Sequence, residues 1–225
     1  MSRSGMWAVL PVKDLEGAKQ RLAAVLTADE RRELFAAMLE DVLSALAACA
    51  GVTGILAVTR DPLAQFLALR YGARVLTEDA NRGHTAASTL GARTLAKEGI
   101  AGMVQVPADL PLLTPEDVAA LLRAHGEAPA ITLNPSRDER GTNALVCSPP
   151  DLLPLRFGHD SFLAHLERAR CLGIEPQIVR RPGLSLDVDT PDDLATFLAA
   201  PSGTRAWAYL AESGLAERLR SRTTG

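Results

Sequence analysis

The amino-acid sequence predicts an α/β domain whose mainly parallel central sheet is covered on both faces by helices. Three observations predict it. Short apolar runs without polar alternation recur along the chain, as strands buried on both faces of a parallel sheet require. Capped helical stretches alternate with those runs, the order that builds such a sheet. Polar loops follow the runs at their carboxyl ends, and in a parallel sheet such loops gather along one edge. With 225 residues, 47% of them hydrophobic, the chain can bury one sizeable core.

Residues 6–12 form the first, central strand, which opens into a loop at 13–22 carrying Lys13, Lys19, Arg21 and a glycine. Thr27 and Glu30 make a capping box. The helix they start places Leu34, Met38, Val42, Ala45 and Leu46 on one stripe and ends near Cys49. Residues 52–59 form the second strand, Asp61-Pro62 starts a short helix through Arg70, and 73–76 form the third strand. A polar loop at 77–85 leads to a helix at 85–97, with Ala86, Leu90, Arg93 and Thr94 spaced along it. The fourth strand, from Met103, breaks at Pro107, and a lone carboxylate, Asp109, sits between two prolines. Thr114 then reads as an N-cap with Pro115 at the first helical position and acids in the first turn, of a helix that ends near Gly126.

Residues 129–134 and 143–147 form two more strands around a polar loop at 135–141. A helix at 161–172 should turn Leu163, Leu166 and Ala169 inward. Residues 176–179 and 184–188 are the last strand candidates. Thr190-Pro191-Asp192-Asp193 repeats the Thr-Pro-acid-acid start for a helix to Ala199, its acids opposing the helix dipole. After Pro201-Ser202-Gly203, Trp207, Leu210, Leu215 and Leu219 fall at roughly helical spacing. The division expected is a catalytic α/β domain at 1–200 and a helical tail at 201–225 with a basic end.

The formal net charge of −3 speaks against a nucleic-acid partner, so an anionic substrate must be held by a few placed cations. Three scattered cysteines without CxxC spacing argue for a reducing compartment and against a disulfide framework or structural zinc. No secretory leader pattern and no run of 18 apolar residues is seen, so a cytoplasmic chain without a membrane segment is expected. A monomer or a homodimer is compatible with the tail.

Four polar loops after strands, at 13–21, 78–85, 107–110 and 137–143, bring cations and carboxylates to one edge. Asp109 and the pair Asp187 and Asp189 could serve Mg²⁺, which takes one or two carboxylates plus phosphate oxygens. Each has a plain alternative. Lys13, Lys19 and Arg21 could be a solvated loop, Asp109 a strand-end residue bonding backbone donors, and Asp187 and Asp189 pre-cap residues. His84 sits on what reads as an exposed loop, and His159 as a surface hydrogen-bonding residue. Walker A and GxGxxG sequences are absent.

Five blocks carry a resemblance: LPVKDLEGAKQRL at 10–22, PADLPLLTPED at 107–117, DERGTNAL at 138–145, FGHDSF at 157–162 and LDVDTPDDL at 186–194. In this order they resemble the CofC/FbiD family, the 2-phospho-L-lactate and phosphoenolpyruvate guanylyltransferases of coenzyme F-420 biosynthesis, over about residues 6–200. The resemblance implies a three-layer nucleotidyltransferase fold of the nucleotide-diphospho-sugar transferase type. It implies attack by a substrate phosphate on the α-phosphorus of GTP, with release of pyrophosphate. By that likeness Asp109, Asp187 and Asp189 match the Mg²⁺-binding acids, and Lys13, Lys19 and Arg21 the basic loop over the triphosphate. Nucleotide contacts fall to Leu10, Pro11, Val12, Lys13, Lys19, Glu78, Asn81, Gly83, His84 and Pro107. Thr142, Asn143, Gly158 and Ser161 face the acceptor, a phosphorylated three-carbon acid: 2-phospho-L-lactate, phosphoenolpyruvate or 3-phospho-D-glycerate. Because the nucleophile is already an anionic phosphate, catalysis reduces to positioning and charge neutralisation. A related transferase with another base or acceptor, such as a cytidylyltransferase or molybdopterin guanylyltransferase, and a non-catalytic GTP-binding protein stay open as alternatives.

Overall fold

The computed structural model describes residues 3–80 and 82–223. Seven strands form one sheet: β1 (Arg3–Pro11), β2 (Val52–Val58), β3 (Arg74–Leu76), β4 (Ile100–Gln105), β5 (Ala130–Pro135), β6 (Thr142–Ser148) and β7 (Gln177–Ile178). Their order across the sheet is β3-β2-β1-β4-β6-β5-β7. All pairings are parallel except those of β6, which runs antiparallel to β4 and β5. The reversal has a local cause: only the short loop 136–141 joins β5 to β6, and a parallel pair needs a longer crossover. The amino end of β6 therefore lies at the same edge as the carboxyl ends of the other strands.

The helices are α1 (Ala28–Ala48), α2 (Pro62–Arg70), α3 (His84–Lys97), α4 (Pro115–Ala124), α5 (Ser161–Cys171), α6 (Pro191–Leu198), α7 (Arg205–Glu212) and α8 (Leu215–Thr223). On one face of the sheet, Ala8, Leu10, Val104 and Val146 meet apolar residues of α1, α2, α4, α6, α7 and α8. On the other, Val9, Leu56, Met103, Leu145 and Cys147 meet α3 and α5. Alternate residues of β1 thus feed opposite cores, which explains its unbroken apolar run. The expected capping boxes form at Thr27 with Glu30, Thr114 with Asp117 and Thr190 with Asp193. Gly91 lets α3 lie close on the sheet, since a Cβ there would come within 2.6 Å of Val9 Cγ1. That approach sets α3's first residue, His84, at the functional edge.

Three sequence expectations are corrected. Residues 184–188 do not form a strand; a 3₁₀ turn, Pro182–Leu184, leads into an irregular segment. Its alternate apolar residues Leu184, Leu186 and Val188 are buried, which produced the strand-like pattern. Side chains take up the backbone where a ladder would have done so: Asn143 and Asn134 amides donate to the Leu184 carbonyl at 2.9 and 3.4 Å. In α5, Phe162, His165 and Ala169 face inward, while Leu163 is 54% exposed. The tail is two helices, α7 and α8, broken at Gly214 (φ +73°), where only glycine adopts the turn at no cost. Both pack on the same core as α1, and Trp207 lies against it, within its own domain. Among the described residues, no helix is long and apolar enough to cross a membrane.

Candidate active site

The polar loops at the carboxyl edge surround one cleft of 1140 Å³. The loop after β1 forms one wall, and the core fixes its path. Leu15 and Leu22 are buried, and the Leu15 amide donates to buried Asp61 at 2.8 Å. The Arg31 guanidinium donates to the carbonyls of Ala18 at 3.3 Å and Leu26 at 2.9 Å. So anchored, the loop is no free solvated segment. Gly17 (φ +80°) and Lys19 (φ +54°) take left-handed conformations that fold it back over the cleft.

The second wall joins Asp109 to the 187–189 segment. The Val188 amide donates to the Asp109 carbonyl at 3.2 Å, which sets Asp187 and Asp189 beside Asp109. Lys19 completes the arrangement: its Nζ lies 2.5 Å from both Asp109 Oδ2 and Asp189 Oδ1. Burial works against the ammonium charge, but the two carboxylates outweigh it and raise its pKa. Asp189 is only half-buried, and although its partial burial works against the carboxylate, Lys19, Arg21 and Lys13 together hold its pKa down. Asp187 lacks such a partner; burial first, and the charges of Asp109 and Asp189 next, push its carboxyl up. The Asn143 amide donates to it at 3.3 Å.

The acids therefore converge as expected, but not as a ready-made cage. Among the described residues, no group of three His, Cys, Asp or Glu side chains could hold a metal ion by itself. The oxygen donors nonetheless suit Mg²⁺, which needs only one or two carboxylates when phosphate oxygens are supplied. Among the described residues, Asp109 Oδ1 is buried without a hydrogen-bond partner, a cost that a cation would remove.

The remaining expected residues divide. Pro11, Lys13, Arg21, Gly83, His84 and Pro107 line the cleft. So do Thr142, Asn143, Gly158 and Ser161 on the opposite side. Leu10 and Val12 do not; both are buried in the core. Glu78 also stands outside the lining, its carboxyl raised by burial and by Asp14. Asn81 lies outside the described residues. His84 is not on an exposed loop: as the first residue of α3 it packs edge-on against Phe157 and meets Gln105 Nε2 at 3.0 Å. Burial pushes its pKa down to about 4. His159 is the exposed residue expected, bonded to Asp160 and Arg140.

Sequence reasoning passed over Phe157, Arg140 and Thr85. Arg140 lies at the rim, its Nε 2.9 Å from Asp160. Thr85 Oγ1 accepts from the Phe157 amide at 2.9 Å, tying the start of α3 to the loop before α5. Phe157 and Arg140 lie within the recognised blocks and Thr85 outside them, and their contacts join residues 20 and 72 positions apart, which spacing alone does not reveal.

Comparison with known proteins agrees with this architecture. A structure from Desulfovibrio desulfuricans G20, assigned to the nucleotide-diphospho-sugar transferases, superposes with a TM-score of 0.79 at 20% identity and 98% coverage of both chains. A cytidylyltransferase from Leptospira borgpetersenii gives 0.58 at 12% identity, covering 98% of this chain and 96% of its own. Both show the fold alone. The phosphoenolpyruvate guanylyltransferase of Rubrobacter xylanophilus is 42% identical over 195 residues, 87% of this chain and 94% of its own. The 3-phospho-D-glycerate guanylyltransferase of Colwellia psychrerythraea is 34% identical over 83% of this chain and 88% of its own. The family described as "Guanylyl transferase CofC like" matches residues 6–223, beyond the 6–200 expected for the resemblance and through both C-terminal helices. By that match, and by the fold and cleft that accompany it, this chain belongs to the CofC-like guanylyl transferase family.

Proposed function

We propose that the protein transfers GMP from GTP to a small phosphorylated carboxylate and releases pyrophosphate, as a step of coenzyme F-420 biosynthesis in the cytoplasm. The observation that carries the proposal is the meeting of a basic loop with three carboxylates in one cleft, opposite a hydroxyl-lined pocket. Phosphoenolpyruvate comes first among the acceptors, ahead of 3-phospho-D-glycerate and 2-phospho-L-lactate. Its support is the name borne by relatives 42%, 38% and 40% identical to this chain.

An oxygen of the acceptor's phosphate attacks the α-phosphorus of GTP; the new P–O bond forms as the bond to the pyrophosphate oxygen breaks. Lys13 and Arg21, exposed on the anchored loop, receive the triphosphate. Lys19, paired with Asp109 and Asp189, is within the same loop and supplies charge to the departing phosphates. Thr142 and the open backbone at Gly158 hold the acid, with Ser161 beside them on the cleft wall and the amino end of α5 helping. Asp109, Asp187 and Asp189 are the residues that would hold Mg²⁺, whose contribution is to polarise and neutralise phosphate oxygens. No side-chain nucleophile is needed, so positioning and electrostatics account for the rate.

The test is turnover with GTP, Mg²⁺ and each of the three acids, products identified by mass. A guanylylated acid with stoichiometric pyrophosphate is expected, and CTP in place of GTP should give little. Failure to form pyrophosphate with every acid would reject the proposal.

A further inference from the structure

Behind the acceptor side of the cleft lies a buried imidazole with no role so far. His165, on α5, is fully buried. Its Nε2 is 3.0 Å from the Arg156 backbone N–H, which can only donate, so Nε2 is the acceptor. The ring hydrogen of the neutral imidazole must then sit on Nδ1, 2.9 Å from Thr142 Oγ1. Burial keeps the ring neutral, with its pKa pushed down to about 4. Thr142 Oγ1 thus accepts from His165. The Ser161 hydroxyl takes the Thr142 amide hydrogen at 2.9 Å and turns its own hydrogen toward Thr142 Oγ1 at 3.4 Å. With its lone pairs so occupied, the Thr142 hydroxyl has its own hydrogen left for the cleft that it lines. Phe157, edge-on to the His165 ring at a centroid distance of 5.2 Å, holds the imidazole from the side.

We propose that His165 is a positioning residue for the acceptor: by donating from Nδ1 to Thr142, it fixes that hydroxyl as a hydrogen-bond donor to the anionic acid. The proposal rests on the guanylyl-transfer reading, which made Thr142 an acceptor contact. It assigns specificity to a side chain that touches no substrate. A Thr142 hydroxyl free to rotate would present its lone pairs to an anion part of the time.

The test is steady-state kinetics with GTP and phosphoenolpyruvate for His165→Leu, His165→Asn, Thr142→Val and the double variant His165→Leu/Thr142→Val. Removing His165 or the Thr142 hydroxyl should raise the acid's KM about tenfold, the scale of one lost hydrogen bond, with the KM for GTP within about twofold. The double variant should lose little beyond either single one, because both remove the same donor. His165→Asn should recover most of the acid's KM, since its amide nitrogen hangs from Cγ as Nδ1 does. A GTP KM that rises as far as the acid's, or losses that multiply in the double variant, would overturn the proposal. If His165→Leu does not fold, the Asn and Val variants decide: an unchanged acid KM in Thr142→Val overturns it. Should the wild type form no product with any of the acids, it is the guanylyl-transfer reading that fails. Calorimetric titration of phosphoenolpyruvate into wild type and His165→Leu then decides separately, and equal affinities, or no binding by the wild type, would overturn the role of His165.

Discussion

Asp109 concentrates the energetics of the site in one side chain. One of its oxygens bonds the Lys19 ammonium and the other is buried with no partner among the described residues. Asp109→Asn should cut turnover of GTP and phosphoenolpyruvate at least about a hundredfold, on the scale of a lost electrostatic stabiliser, while circular dichroism and the thermal midpoint stay near wild type. Unchanged turnover would dismiss the metal role. Lys19 gives the complementary prediction. Its ammonium holds two of the three acids that would face a cation, so Lys19→Met should bind Mn²⁺ without nucleotide about tenfold or more tightly than wild type by calorimetry. Equal affinity would mean that the ammonium does not compete. The acids stood out in the sequence because each precedes a Thr-Pro-acid helix start, Asp109 after a strand and Asp187 and Asp189 after a buried irregular segment that mimics one. The place of Lys19 was not. It depends on left-handed backbone at a non-glycine residue and on a loop pinned by Asp61 and Arg31, contacts that no spacing encodes.

Among the elements, strands and capped helices were read from periodicity and caps almost throughout, and the failures share one cause. In 184–188 and in α5, apolar residues suited two arrangements; distant side chains chose between them in the first, and neighbours on the same helix in the second. Asn134 and Asn143 captured the Leu184 carbonyl. In α5, inward Phe162 and His165 displaced Leu163 to the surface. The C-terminal helices show the same dependence on remote partners. Buried Asp41 of α1 accepts from the Arg205 and Ala206 amides at 2.8 and 3.0 Å, capping α7 from another element. Thr204 supplies only the local cap, at 3.3 Å to the Trp207 amide. Asp41→Ala should leave both amides unpaired at a buried helix start and cost about 2 kcal/mol of stability, read from urea unfolding. A loss under a few tenths of a kcal/mol would show that α7 is held by its apolar contacts alone.

For the whole molecule, the buried His165 and the half-buried His84 and His125 make stability depend on pH. Burial lowers the pKa of His84 and His165 to about 4 in the fold, and it lowers that of His125 as well. The unfolded chain binds a proton at each near its ordinary pKa of about 6.5. Between those values the unfolded state carries more protons, so stability rises with pH; it is fully present above about 6.5 and is lost as pH falls toward 4. A fully buried imidazole such as His165 should account for about 2 kcal/mol between pH 6.5 and 5. The raised carboxyls of Asp41 and Asp187 act in the opposite sense: each gains stability as pH falls from its raised pKa toward the ordinary 3.8, which offsets part of the histidines' loss. Urea midpoints should therefore be level from pH 8 to 7 and fall by pH 5, with a shallower fall in His165→Asn. A wild-type midpoint that is the same at pH 5 as at pH 7 would mean that these rings take up protons without leaving the fold, and the fixed polarity of the His165–Thr142 bond would fall with that result.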